Sequence, residues 1–289
     1  MQPIIMHINY MEQGQSIEYI CCRAAEIGFD GIEFRRKRAS VNETPTEYLD
    51  EIKRCADAYG IKHVLFGGPG CDFMSGDRKK MRSEIESYKE FIDLAAERKL
   101  LSVLNFMTGY LPNPDPELSK KFYNNGAACA TDSQWEDAAE GCRILSDYGK
   151  QYGVRFAFET HMNYLHDLVP ATMKLVNMID RDNFGVNLDY GNAVFFPDRP
   201  TLRESIELCG DKLFYTHFKN YMPPYGSSEM LVPTALSEGM ISHREFISIL
   251  NERGYNGLIG IEAPRPGDRE WYAKQDYEYV TWLMKDLKR

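Results

Sequence analysis

Short apolar runs alternate with longer stretches of helical periodicity from one end of the chain to the other. Residues 4–8, 32–35, 61–66, 100–106, 154–159, 184–189, 213–217 and 258–262 are dominated by aliphatic and aromatic side chains, and most follow turns containing Gly, Asp or Lys, the pattern of buried strands. After each comes a segment whose apolar positions recur three and four apart, the spacing that lines one face of a helix: 16–27, 45–59, 77–97, 132–152, 168–179, 201–208, 242–253 and 269–287. Ser16 stands where an N-cap is expected.

Strict alternation demands a parallel sheet, because each strand needs a crossover that returns the chain to the same end of the next. Right-handed crossovers repeated eight times favour closure, and 289 residues suit the roughly 250 that a closed barrel needs. The expected architecture is an α/β fold, a (β/α)8 TIM barrel, in one domain over residues 1–289. A doubly wound sheet would carry a Gly-rich phosphate turn after its first strand, where Asn9-Tyr10-Met11-Glu12 stands instead. Gly67-Gly68-Pro69-Gly70 lacks the lysine and the spacing of a phosphate loop and reads as a plain turn. Two connections, 108–131 and 221–238, are long and lie where barrel enzymes build their sites, which suits lids or subunit contacts.

Four strands end in a candidate metal ligand: Glu159, Asp189, His217 and Glu262. Side chains alternate across a strand, so Phe156 and Phe158 facing the helices leave Ala157 and Glu159 inside. The same parity turns Asn187 and Asp189 inward, and Gly260 with Glu262, while His217 shares its face with Tyr215. Three carboxylates buried together would repel one another at a severe desolvation cost unless a cation stood among them. One divalent metal ion answers this, and an oxygen-rich shell with one imidazole suits Mn²⁺, Mg²⁺, Co²⁺ or Fe²⁺ better than a structural zinc, with Mn²⁺ the expected ion and spacing unable to choose among them.

Charge narrows the partners. A formal net charge of -9 gives no general attraction for phosphate backbones or anionic membranes, so neither nucleic acid nor a membrane is an expected partner. The basic run Arg35 to Arg38 reads as a solvated loop. Seven cysteines without metal or disulfide spacing suit a reducing compartment, and neither a signal-like N-terminus nor an 18-residue apolar segment occurs; the location implied is cytoplasmic.

Glu159, Asp189, the segment Thr216-His217-Phe218-Lys219 and Glu262 together resemble the xylose-isomerase-like superfamily of sugar phosphate isomerases and epimerases, over essentially the whole chain. Ser237-Glu238-Gly239-Met240-Ile241 is similar to that family's Gly-Glu-Gly turn. The resemblance implies a metal-dependent isomerase or epimerase of a small ketose or related sugar, working by proton transfer through an enediolate. Glu159 and Glu262 are then the acid/base pair as well as ligands, and Asp189 and His217 ligands alone. A dehydratase or decarboxylase acting on a keto-sugar, keto-sugar acid or keto-inositol is the alternative, because Asn192 stands where many relatives carry a histidine and Lys219 and Asn220 where sugar epimerases place an arginine. Apurinic endonucleases share the barrel but need strand-end histidines for three zinc ions, more than this chain supplies.

His161, Asn192, Lys219, Glu33 and Arg35 are the expected substrate-binding side chains, the last two sharing the inward face of strand two. His7 and His63 fall on strands and suit core packing or hydrogen bonding, whereas His166 and His243 are expected at helix starts on the surface. Aromatic residues in the two long connections are compatible with a homo-oligomer.

Overall fold

The computed structural model describes residues 4–8, 13–226, 230–262 and 265–288; the 9–12 segment and the 227–229 tip of the second long connection lie outside the described residues. The strands are β1 (Ile4–His7), β2 (Gly31–Arg35), β3 (His63–Gly67), β4 (Val103–Phe106), β5 (Arg155–Glu159), β6 (Phe184–Asp189), β7 (Leu213–Phe218), a short β8 (Asn220–Met222) and β9 (Val232–Thr234), and β10 (Leu258–Ile261). Eight of them close a parallel barrel in the order β1-β10-β7-β6-β5-β4-β3-β2, and β8 and β9 form a separate antiparallel hairpin. The helices are α1 (Ile17–Ile27), α2 (Pro45–Tyr59), α3 (Arg78–Glu97), α4 (Asp132–Gly149), α5 (Val169–Ile179), the single-turn α6 (Tyr190–Ala193), α7 (Leu202–Cys209), α8 (His243–Glu252) and α9 (Arg269–Asp286). The expected (β/α)8 TIM barrel is therefore the fold.

Helix starts are written locally. Ser16 caps α1 by accepting from the Tyr19 amide at 3.1 Å, and Thr44, Thr131 and Thr201 build reciprocal capping boxes with Glu47, Gln134 and Glu204. Most strands start where the apolar runs do, but β3 and β4 start later. Leu100 ends α3 by bonding back to Ala95, and Ile61 ends α2 by bonding back to Ala56, so β4 begins three residues and β3 two residues later than the apolar runs suggest.

The core has two parts. Inside the barrel floor, Ile5, Leu65, Val103, Ala157 and Tyr215 pack with Phe214 and Leu258. Outside, between strands and helices, a larger cluster includes Phe34, Phe66, Phe106, Phe156, Phe158, Phe184 and Phe218, with the Phe156 and Phe184 rings stacked at 5.0 Å. Apolar side chains thus fill the bottom of the barrel and polar ones collect above them. The ladder fixes where the polar ones meet: Glu159 pairs with Asn187, Asp189 with His217, and Gly260 with His217.

Candidate metal and active site

Glu159 and Asp189 are the last residues of β5 and β6, His217 is the penultimate residue of β7, and Glu262 directly follows β10, its amide bonded to Phe218 O at 3.0 Å. Each of the four offers a ligand atom, and these atoms lie within 4.8 Å of one another. His217 Nδ1 is 3.7 Å from Glu159, 3.7 Å from Asp189 and 3.8 Å from Glu262 oxygens. It is buried and makes no hydrogen bond. A buried ring nitrogen without a hydrogen bond, facing three carboxylates from just beyond hydrogen-bond reach, is a donor set that fits a divalent ion.

The imidazole is aimed from behind. Glu33 Oε2 lies 2.7 Å from His217 Nε2 and accepts from Tyr215 Oη at 2.6 Å. That contact puts the proton on Nε2 and leaves Nδ1 as the donor to a metal, the arrangement in which a carboxylate orients a metal-binding histidine. Asn105 then joins the two acidic shells, donating from Nδ2 to Glu33 Oε1 at 3.0 Å and to Glu159 Oε2 at 2.8 Å. Asn192 donates to Thr160 O at 2.9 Å and to Glu159 Oε1 at 3.4 Å, fixing the second oxygen of the same carboxylate.

Asp189 doubles as the N-cap of α6, its side chain accepting from the Asn192 amide at 3.3 Å, and its backbone is held by the Thr160 hydroxyl. Lys219 completes the cluster, with Nζ 2.7 Å from Asp189 Oδ2 and 2.9 Å from Glu262 Oε2. The Asp189 contact is an ion pair outside hydrogen-bond geometry, so this oxygen too keeps bonding capacity.

Electrostatics follow from the crowding. Burial would raise the Glu262 carboxyl, but the Lys219 ammonium and the His7 and His217 rings hold it down to about 2. Burial would likewise raise Glu159 and Glu33, and the His217 ring lowers both; burial lowers His217 in turn, but Glu33 and Glu159 outweigh it and favour its protonated form, whose Nδ1 proton a bound metal would replace. For Lys219 burial is the largest influence and favours the neutral amine, yet Asp189 and Glu262 reverse it and keep the ammonium. Glu159 and Glu262 are therefore held in the ionised form that a metal ligand or a general base would need.

A cavity of about 830 Å³ opens above, lined by Glu159, Glu262, Glu33, His161, Arg35, His7, Asn105, Met107, Tyr164 and the 67–71 turn. Glu159 and Glu262 both reach it, which suits a pair of groups that touch a ligand, and its volume is that of a small-molecule site. His161 also reaches it, with Nδ1 against Met162 O at 2.9 Å. Asn192 and Lys219 do not line it; both are buried behind the carboxylates. The 67–71 turn, expected as mere connection, forms one wall.

Other expectations shift. His166 and His243 are buried, not on the surface. His166 bridges the barrel rim, with Nδ1 against Glu159 O and the Thr108 amide donating to Nε2 at 3.3 Å; His243 is held against Leu236 O at 3.0 Å. The basic run is not simply solvated: Arg36 donates to Pro69 O and lies over Tyr88, and Arg38 pairs with Glu43 and lies over Tyr48. Asn105 and Tyr215 were not singled out, although a lone amide in the apolar strand Val103-Leu104-Asn105-Phe106 and the shared parity of Tyr215 with His217 were signals for both.

A family model for xylose isomerase-like TIM barrels matches residues 22–284. The chain belongs to this family. It is 27% identical over 264 residues to a 2-oxo-tetronate isomerase of Haemophilus influenzae, covering 87% of this chain and 90% of the relative. An inosose dehydratase of Lacticaseibacillus casei is 25% identical over 170 residues, 53% of this chain and 56% of the relative. The crystal structure of a D-psicose 3-epimerase with D-tagatose from Clostridium cellulolyticum H10 superposes with a TM-score of 0.76 at 19% identity, covering 98% and 99% of the two chains, and shares the fold. Isomerases, epimerases and dehydratases thus all stand among the proteins this chain is similar to.

Proposed function

We propose that the protein is a divalent-metal-dependent isomerase or epimerase that moves a hydrogen on a small oxo-sugar or oxo-sugar acid through an enediolate. The observation that carries this reading is the placement of Glu159 and Glu262, which belong to the candidate metal shell and both face the cavity. Bound there, the ion would draw charge from adjacent substrate oxygens and so acidify the carbon-bound proton between them. Glu159, its oxygens ordered by Asn105 and Asn192, would take that proton, and Glu262 would return one from the opposite side. His217 and Asp189 would hold the ion, and Glu33 would fix the imidazole. His161 and Arg35 line the cavity and would contact the remaining hydroxyls or carboxylate of the substrate. Mn²⁺ is the ion we propose, and the same donor set would accept Mg²⁺, Co²⁺ or Fe²⁺. The likeness to a 2-oxo-tetronate isomerase over most of both chains supports isomerisation and a substrate that is a short oxo acid.

A second reading, elimination of water from an oxo-sugar acid or keto-inositol, draws on the likeness to inosose dehydratase and on the Lys219 ammonium beside Glu262, a proton donor next to a base. Lys219 does not line the cavity, which favours isomerisation.

Product analysis separates the two. Mn²⁺-loaded protein incubated with a panel of small ketoses and 2-oxo sugar acids, followed by NMR, is expected to yield an isomer or epimer of unchanged composition. A dehydrated product alone would favour the second reading, and no conversion across the panel would contradict both.

A further inference from the structure

We infer that Lys219 is a built-in cation of the metal centre, one that holds its carboxylates together when no ion is bound and competes with the ion for two of them, so that it keeps the metal exchangeable. The inference rests on the proposed metal site. Its geometry is direct: one ammonium, buried to 4% exposure, bridges Asp189 Oδ2 at 2.7 Å and Glu262 Oε2 at 2.9 Å, and these residues come from different strands and are both candidate ligands.

The charge balance shows why such a group is needed. Glu159, Asp189 and Glu262 bring three negative charges to one buried cluster, and the Lys219 ammonium cancels one of them while a divalent ion would cancel the other two. Without the lysine, the metal-free barrel would have to fold around three carboxylates faced by the His217 imidazole alone, a costly arrangement in a region of low dielectric. With it, the cluster is tolerable before metal arrives. The same attraction opposes the ion, because Asp189 and Glu262 must share their charge between two cations.

The chain makes room for this lysine. Gly191, in α6, lies against its stem: a Cβ there would overlap Lys219 Cγ and sit 3.1 Å from Asp189 Oδ1. Any larger residue at 191 would push the ammonium from its bridge. The placement is therefore built from two elements, the end of β7 and the turn after β6.

The test is metal binding, read without turnover. Chelator-stripped wild type, K219M and K219R are titrated with Mn²⁺ calorimetrically, and their melting temperatures are compared with and without saturating Mn²⁺. K219M is expected to bind Mn²⁺ at least tenfold more tightly than wild type and, when stripped, to melt at a lower temperature, with the gap closing on loading. K219R, which keeps the charge, is expected to stay near wild type, and G191A to shift affinity in the direction of K219M. If stripped K219M does not fold, loaded samples are mixed with excess EDTA, and K219M is expected to release Mn²⁺ more slowly than wild type. Unchanged or weaker Mn²⁺ binding by K219M, or EDTA release as fast as wild type, would overturn this assignment alone. No binding by either protein would overturn the metal-dependent function with it.

Discussion

The hydrogen bonds of Glu33 make the clearest distinction between contact with substrate and support of the centre. Parity alone turned Glu33 inward and suggested a substrate contact, but its carboxylate accepts from Tyr215 and Asn105 and meets His217 Nε2 at 2.7 Å. Its principal partners are protein groups, so its work is to set the tautomer and direction of the imidazole. Glu33→Gln keeps the size and loses the charge. It is expected to weaken Mn²⁺ affinity by about 10- to 100-fold, the usual cost of losing such a partner, and added Mn²⁺ should restore much of the turnover. An affinity equal to wild type by calorimetry would show that His217 needs no such support. What could be read from residues alone was the candidate ligand set; that Glu33 bonds to His217, Tyr215 and Asn105 depended on distances across the barrel that no local pattern encodes.

At the scale of elements, strand parity carried most of the information. It put Glu159, Asp189, His217 and Glu262 on one face because period-two alternation is a property of the backbone and survives errors of a few residues in strand ends. The same parity assigns Gly260 to the interior, where a Cβ would overlap Tyr215 Oη and lie 2.9 Å from His217 Cδ2. Gly260→Ala is expected to destabilise the fold by about 1–3 kcal/mol through overpacking and to weaken Mn²⁺ binding by displacing the imidazole; denaturant unfolding together with calorimetry would check both, and an unshifted midpoint would count against this packing.

Helix starts were legible as well, since caps are local. The hairpin of β8 and β9 was not, because its geometry depends on Asn220, whose amide donates to Ile241 O at 2.9 Å and also to Glu238 O, while its oxygen accepts from the amides of Tyr221 and Ile241 at 3.0 Å each. Such a long-range clamp has no signature in periodicity.

The start of α8 gives a pH prediction. Burial lowers the His243 imidazole to about 4, below its ordinary 6.5. The folded state therefore resists a proton that the unfolded chain accepts, so the contribution of neutral His243 is complete above pH 6.5 and is lost as the pH falls towards 4. Its loss amounts to up to about 3 kcal/mol at the acid end. His243→Asn removes this titration, and its stability relative to wild type should rise between pH 6.5 and 4 in urea unfolding; parallel profiles would refute the assignment. A polar residue after an N-cap serine suggests the surface, but His243 is buried and held by the Leu236 carbonyl of the turn just before the helix.

Across the whole molecule, the alternation of strands and helices was enough to specify a closed barrel, and family membership agrees with it. The division of labour inside that barrel is vertical. Apolar side chains from several strands fill the floor, a hydrogen-bonded layer of Glu33, Asn105 and Tyr215 lies above it, and the candidate metal shell opens to the cavity. The proposed proton transfer would draw on this arrangement, with carboxylates at the mouth and fixed dipoles beneath them. Among the described residues no helix is long and apolar enough to cross a membrane.

The central claim is that Glu159 and Glu262 exchange a carbon-bound proton with the aid of a metal. The most direct measurement is deuterium incorporation into a small 2-oxo sugar acid or ketose in D₂O, followed by NMR for protein loaded with Mn²⁺, stripped by chelator, and carrying Glu159→Gln. Incorporation at the carbon next to the carbonyl should require Mn²⁺ and should fall by about 10²- to 10⁴-fold in the variant, the range typical for removal of a positioned base. Incorporation that persists unchanged without metal or in Glu159→Gln, or none in the loaded wild-type protein across the panel, would contradict the account.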